Sequence, residues 1–393
     1  MAVINISLVG GQSMPVYQGF KEPVVPDKII LICSSKSFEE AKEIGNKSNK
    51  PFELKQFDAF NYSSILKGAE TLLDSLKEEK VIINITGGTK PWAVGFTLMA
   101  INRDNCTLIY FDQNGVMRDL THQYLENASQ ELDIATILRY NNQPIPSHTS
   151  FSDYTEQDTN ILNSVIKLRS LNYEDFKHLT LFLDQSWKRD FENLYNPQPR
   201  HSLPSGSRIL YDRSLNTVHI KLFKNNRYGG FEEKHLSSPH VDKIVFNTGW
   251  FEYEVALMMS KWNHSKEIWM NVTFPYNNND IKNEIDILVS TGNKLLFIEC
   301  KTQIKDTTDI DKFRSAVRNY GRWSSKALFI TRGKMTPFAK EKCKDNDILC
   351  FSFQDTLSDE RARRERLSLD EVRERRGREL FNLLNAEMLN SNT

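Results

Sequence analysis

The 393-residue sequence has no run approaching the roughly 20 apolar residues that a helix needs to cross a bilayer. Its opening, MAVINISLVGG, lacks the basic region and cleavage site of a secretory signal. A soluble, cytoplasmic protein without membrane contact is the expectation. Cysteine is scarce: the five residues Cys33, Cys106, Cys300, Cys343 and Cys350 show no C-x-x-C spacing. That argues against a disulfide framework and against a structural zinc site. Cys33 and Cys350 adjoin large apolar residues, and buried, reduced thiols are expected. An excess of one charge is missing too, with 51 basic against 51 acidic residues. No global positive field marks a nucleic-acid binder, and function must be sought in local chemistry. No internal repeat is visible.

What is present is a chain longer than one core usually organises, with 39% apolar residues, so two domains and a connector are expected. Short apolar runs at 3–9, 28–33, 53–57, 81–85 and 107–111 alternate with amphipathic helical stretches at 38–47, 63–77 and 91–102. Such alternation predicts an α/β fold with a mostly parallel, doubly covered sheet, a Rossmann-like domain over 1–142. The polar segment NNQPIPSHTS at 141–150 is a plausible boundary. Residues 143–245 read as a helical connector with a β-hairpin, without assigned chemistry. Residues 246–393 read as a third region: a helix at 250–262, strands at 269–274, 284–290 and 294–300, then helices and strands in alternation, and a helical Arg/Glu/Leu tail at 359–389.

The C-terminal region carries NEIDILVSTGNKLLFIECKT. If Gly292-Asn293 form a two-residue type II′ turn, Thr291 faces Lys294, and counting outward sets Asp286 opposite Glu299. Opposed β-carbons lie about 4.5–5.5 Å apart, where two like charges destabilise a hairpin. Both carboxylates also sit in apolar runs, where an unpaired charge is costly. A divalent cation between them resolves the conflict, and magnesium or manganese suits two carboxylates completed by water and phosphate. Lys301 projects from the same strand face as Glu299. It could orient or deprotonate an attacking water, or stabilise charge on phosphate. Asp286, Glu299-Cys300-Lys301 and the upstream Gly249-Trp250-Phe251-Glu252 resemble the PD-(D/E)XK restriction-endonuclease core, although Ile285 stands where that family often has proline. The resemblance implies Asp286, Glu299 and Lys301 as catalytic, and Glu252 as a helical carboxylate joining Asp286 and Glu299 at the metal. Glu254, about 200° further round the helix, is then expected to be solvated. Lys312, Arg314, Arg318 and Arg322 read equally as phosphate contacts or a solvated helix face, and the arginines of 361–378 as a salt-bridged surface or dimer helix.

In the N-terminal region VIINITGGTKPW joins a strand to a helix through Gly87-Gly88. Free amides and the positive end of the helix dipole suit an anion there, with Thr86, Thr89 and Lys90 adding two hydroxyls and a charge. A tight turn capped by Thr89 is the competing reading, and the spacing does not match a P-loop. Asn84-x-Thr86-Gly87-Gly88-Thr89-Lys90, with Leu8-Val9-Gly10-Gly11-Gln12-Ser13-Met14-Pro15, resembles the CARF domains of type III CRISPR ancillary proteins. That resemblance implies a ligand pocket drawing on Gly11, Gln12, Ser13, Met14, Ser34, Ser35, Asn84 and residues 86–90. It also implies a homodimer, a cyclic tetra-adenylate activator, and cleavage of DNA or RNA in antiviral defence. A regulator with a degenerate nuclease fold and a messenger-independent nuclease are the alternatives.

Overall fold

The computed structural model describes residues 1–11, 13–21, 23–112, 116–121, 126–127, 131–141, 143–227, 229–275, 281–304, 307–321 and 325–389. They form two units: Met1–Ile145 with Ser290–Leu295 and Arg318–Ser325, and Pro146–Val289 with Leu296–Val317 and Lys326–Thr393.

The first unit runs β1 (Val3–Leu8), α1 (Met14–Gln18), β2 (Lys28–Cys33), α2 (Phe38–Lys47), β3 (Phe52–Gln56), α3 (Tyr62–Asp74), β4 (Lys80–Asn84), α4 (Lys90–Ala100), β5 (Cys106–Phe111), β6 (Met117–Asp119), β7 (Glu126–Asn127) and α5 (Ile134–Tyr140). Its sheet has the order β3-β2-β1-β4-β5-β6-β7. The first five strands are parallel, and β6 and β7 add antiparallel edges. Side chains alternate across each strand, so Ile30 and Ile32 pack with Ile65, Leu72 and Phe96 of α3 and α4. Ile29 and Leu31 face the other way, toward Val16 and Tyr17 of α1 and Ala41 and Ile44 of α2. Each such aliphatic side chain contributes about 1.5–3 kcal/mol by burial. This two-sided cover is why the strands read as continuous apolar runs.

The second unit begins with β8 (Ser147–Ser150), α6 (Glu156–Leu171), α7 (Tyr173–Thr180), α8 (Gln185–Glu192), β9 (Arg200–Ser202), β10 (Arg208–Asp212), β11 (Thr217–Phe223), β12 (Phe231–Ser237) and α9 (Val241–Val245). It continues with α10 (Gly249–Met259), β13 (Glu267–Pro275), β14 (Ile281–Ser290), β15 (Leu295–Lys301), α11 (Thr308–Gly321), β16 (Ser325–Thr331), α12 (Pro337–Asp345), β17 (Ile348–Ser352), α13 (Asp359–Arg364) and α14 (Leu369–Leu384). A four-stranded antiparallel sheet, β12-β11-β10-β9, accompanies a six-stranded sheet, β17-β16-β15-β14-β13-β8. The whole chain is thus a mixed α/β protein, a Rossmann-like unit and a second α/β unit. Where sequence sets 143–245 apart, the structure places it in one core with the C-terminal part. Val165, Leu168, Ile220 and Ile244 cluster with Met258, Ile287, Ile298 and Leu384. The hairpin that follows the proline-rich polar run at 197–206 buries Ile209, Tyr211, Val218, Ile220 and Leu222 in that shared core. All five cysteines are free thiols, Cys33, Cys106, Cys300 and Cys343 buried and Cys350 half-buried. Among the described residues no helix is long and apolar enough to cross a membrane.

Candidate functional site

The turn after β14 has the geometry its residues demand. Gly292 has φ +92, the sign that a type II′ turn requires at its first central position, and Thr291 N donates to Lys294 O at 3.0 Å. The two strands leaving it are sheet neighbours. In β15 Glu299 and Lys301 are half-buried while the intervening Cys300 is 1% exposed, the alternation a strand imposes. Cys300 N donates to Asp286 Oδ2 at 2.7 Å, and Lys301 Nζ donates to Glu299 Oε1 at 2.5 Å. Glu252, in the first turn of α10, accepts a hydrogen bond from Thr248 Oγ1 at 2.8 Å.

These groups feel one another. Burial pushes the Asp286 carboxyl well above the ordinary carboxylate range, and Glu299 and Glu252 add to it. Burial likewise raises Glu299 and lifts Glu252 to about 7, opposed by the Thr248 hydrogen bond and reinforced by Glu284. Burial alone would lower Lys301, but the Asp286 and Glu299 carboxylates reverse that and raise it. The donor set is therefore three crowded carboxyls and one ammonium. Such a set fits a hard divalent ion, which would relieve the mutual repulsion of the buried carboxyls. Among the described residues no group of three or more His, Cys, Asp or Glu is close enough to hold a metal unaided. An ion here would complete its shell with water or substrate oxygen. Counting outward from the Gly292-Asn293 turn also sets Glu284 opposite Lys301, whereas Thr248 and the Cys300 amide carry no sequence signal beyond the position of Thr248 four residues before Glu252.

Glu254 corrects an expectation. Instead of being solvated it is 3% exposed, with Arg332 Nη1 at 3.5 Å and Arg373 Nε at 3.9 Å. Two arginines of the tail, Arg373 and Arg376, turn inward at 3% exposure to serve this cluster. Others form the surface pairs their spacing predicts, such as Arg361 with Glu365 and Arg378 with Glu374. Arg322 lies outside the described residues.

In the first unit the candidate ligand residues follow β1, β2 and β4, three adjacent parallel strands. The strand order reverses between β1 and β4, and open α/β sheets bind ligands at the carboxyl ends beside such a switch point. Gly87 and Gly88 are needed there. A β-carbon on Gly87 would meet Leu8 O at 2.2 Å, and Gly88 has φ +75. The loop is braced from below. Asn84, 1% exposed, donates through Nδ2 to Pro15 O at 2.8 Å and accepts at Oδ1 from Thr86 N and Thr86 Oγ1. Thr86 Oγ1 also accepts from Phe111 N, and Thr89 Oγ1 caps α4 by accepting from Trp92 N. Both hydroxyls are therefore engaged in shaping the turn. Lys90 is exposed, and the half-buried amides of Gly87, Gly88 and Thr89 donate to no other group among the described residues. Ser13 is 6% exposed with its hydroxyl donating to Tyr140 O, and Met14 is 5% exposed. Gly11 and Ser35 are exposed, and Ser34 is half-buried beside Ser37. Gln12 lies outside the described residues.

Residues 4–138 match the family model described as the Card1 CARF domain. The chain carries a CARF domain. No curated protein matches the chain in sequence. Among solved structures, one similar to the whole chain is Can2 from Sulfobacillus thermosulfidooxidans in complex with cyclic tetra-adenylate. It is 18% identical, covers 98% of this chain and 99% of that one, and has a TM-score of 0.58. Protein VC1899 from Vibrio cholerae is 14% identical over 98% of both chains, with a TM-score of 0.66. A type III CRISPR defence DNA nuclease activated by cyclic oligoadenylate is 13% identical, covering 86% of this chain and 47% of that one at a TM-score of 0.50. At these identities the likeness is one of fold. It extends past the CARF domain into the second α/β unit.

Proposed function

We propose that this protein is a metal-dependent nuclease of type III CRISPR antiviral defence, activated when its CARF domain binds a cyclic oligoadenylate, cyclic tetra-adenylate in particular. The observation carrying the reading is the convergence of Asp286, Glu299, Lys301 and Glu252 in a pattern resembling the PD-(D/E)XK core, on a chain with a CARF domain. Asp286 and Glu299, joined by Glu252, would hold Mg2+ or Mn2+. Such an ion, when bound, supplies Lewis acidity toward a phosphoryl oxygen and a lowered pKa for water. The chain's own groups do the rest. The Cys300 amide fixes one Asp286 oxygen and so the direction of the other, and Thr248 restrains Glu252. Lys301, an ammonium held by Glu299, is placed to stabilise charge developing on the phosphate. In the CARF domain the free amides above Gly87-Gly88 and the Lys90 ammonium suit the phosphates of the activator. Two subunits would present these loops across a two-fold axis, matching a cyclic ligand to a homodimer.

The test is incubation of the purified protein with labelled single- and double-stranded DNA and RNA, in Mg2+ or Mn2+, with and without cyclic tetra-adenylate. Cleavage that requires both ion and activator is expected. Ligand binding without cleavage of any substrate would instead indicate a regulator, and cleavage indifferent to the ligand would indicate a messenger-independent nuclease.

A further inference from the structure

On α10, Glu252 and Glu254 point to different surroundings. Glu254 lines a cavity of about 760 Å³ that lies wholly in the second unit, walled by α6, α13 and α14. Six cationic side chains line it, Lys167, Arg169, Lys234, Arg332, Arg363 and Arg376, against two carboxylates, Glu254 and Asp359. The carboxylates are already committed. Asp359 Oδ2 accepts from Arg332 Nη2 at 2.7 Å and Oδ1 from Arg376 Nη2 at 3.0 Å, and Glu254 pairs with Arg332 at 3.5 Å. Lys167 and Lys234 share Glu232, outside the lining, at 3.5 and 3.7 Å. Among the described residues, no carboxylate lies within ion-pair distance of Arg169 or the exposed Arg363.

Arg169 is the anomaly. Its guanidinium lies 4.0 Å from the centre of the Trp250 ring, itself 2% exposed, and 5.2 Å from that of Tyr173. It shares Trp250 with Arg332, 5.2 Å from the same ring. Burial, with Arg332 adding like charge, pushes Arg169 down to about 10. A guanidinium this desolvated, sharing a ring with another and with Glu254 and Asp359 acting on it only from beyond ion-pair distance, is a costly arrangement that an incoming anion would relieve. Guanidiniums match the fork geometry of phosphate. The cavity volume falls within the range of about 300–1,000 Å³ usual for small-molecule sites. Tyr173, 45% exposed, and the apolar Leu367 and Val372 offer surfaces for a base and sugar.

We infer that this cavity binds a nucleotide-sized phosphate ester, its phosphate seated between Arg169 and Arg363 and its base against Tyr173. The site is distinct from both the CARF loops and the Asp286–Glu299 cluster. It stands whether or not the chain cleaves nucleic acid.

The experiment is titration calorimetry on the full-length protein in EDTA with inorganic phosphate, AMP, ATP and a 5′-phosphorylated tetranucleotide. Affinity should rise from phosphate to AMP to ATP with ligand charge. A tetranucleotide binding tighter than ATP would mark the terminus of a strand as the source, and ATP binding tighter would mark a free nucleotide. Arg169→Gln should weaken the best ligand at least tenfold, whereas Lys90→Ala and Glu299→Ala should leave its affinity within twofold. Because Arg169 packs on Trp250, Arg363→Glu at an exposed position serves as a second variant and should also weaken binding severalfold. Absence of saturable binding of all four probes at millimolar concentration would overturn the assignment. So would unchanged affinity in both arginine variants.

Discussion

Replacing Glu252 by Gln should make the metal-free protein more stable, and the gain should depend on pH in a defined direction. The Glu252 carboxyl is raised from 4.5 to about 7, first by burial and then by Glu284 and Glu299. Below pH 4.5 the carboxyl is protonated whether the chain is folded or not, and its burial carries no charge penalty. Between 4.5 and about 7 the unfolded chain releases the proton while the folded one keeps it, so stability falls as pH rises. Above 7 the loss is complete. A shift of about 2.5 units corresponds to about 3 kcal/mol at most, and the mutual influence of Asp286 and Glu299 makes about 1–3 kcal/mol the expected range. Glutamine keeps the oxygen that accepts from Thr248 Oγ1 and removes the charge. For a unit this large, about 2–4 °C follows each kcal/mol. Scanning calorimetry in EDTA should therefore show Glu252→Gln melting several degrees above wild type at pH 8 and level with it near pH 4.5. Added Mn2+ should narrow or reverse the difference, because ligand binding stabilises the wild-type fold more. Equal melting temperatures at pH 8 in EDTA, or a gain that persists unchanged at pH 4.5, would refute the view that repelling carboxylates crowd this site.

Asp286→Ala, Glu299→Ala and Lys301→Ala should each lower cleavage by on the order of 10²–10³-fold or more, with activator binding by calorimetry unaltered; a Glu299→Ala protein cleaving at the wild-type rate would show that the site is misplaced. Chelation should abolish cleavage, and calcium should restore nucleic-acid binding in gel shifts but not turnover, since it coordinates more loosely and activates water poorly. Lys90→Ala should weaken cyclic tetra-adenylate by about 10–100-fold, the worth of a charge-assisted hydrogen bond, and saturating ligand should partly restore cleavage. A bulky residue in place of Thr89 should likewise raise the activator concentration needed for half-maximal cleavage.

The legible parts of this molecule are those in which a local rule and the final environment agree. Strands β2, β4 and β5 announce themselves because burial on both faces leaves mostly apolar residues. The β14–β15 turn is legible because Gly292-Asn293 has few other uses between two apolar runs. Glu254 and its arginines are not legible. Arg373 and Arg376 sit among alternating Arg and Glu that fit a solvated helix, and only the fold brings Arg332, Asp359 and Glu254 alongside them. β8 and β12 escaped for another reason: Ser147–Ser150 and Phe231–Ser237 are mostly exposed edge strands, and neither burial nor a turn signal constrains their composition. The cap that Thr89 makes with Trp92 N is one of the two readings its place before a helix allows, whereas the bonds of Thr86 to Asn84 and Phe111 have no sequence signal.

The core that joins Val165, Leu168 and Ile220 to Met258, Ile287 and Leu384 also decides what can be inherited as a piece. A recombination joint near residue 246 would part these side chains and pass on a fragment with bare apolar faces. A joint just upstream of Ser147 would carry them together. Lineages that exchange the part following a domain of this kind should therefore show their breakpoints near the start of β8, with α6 through β12 travelling with the C-terminal part.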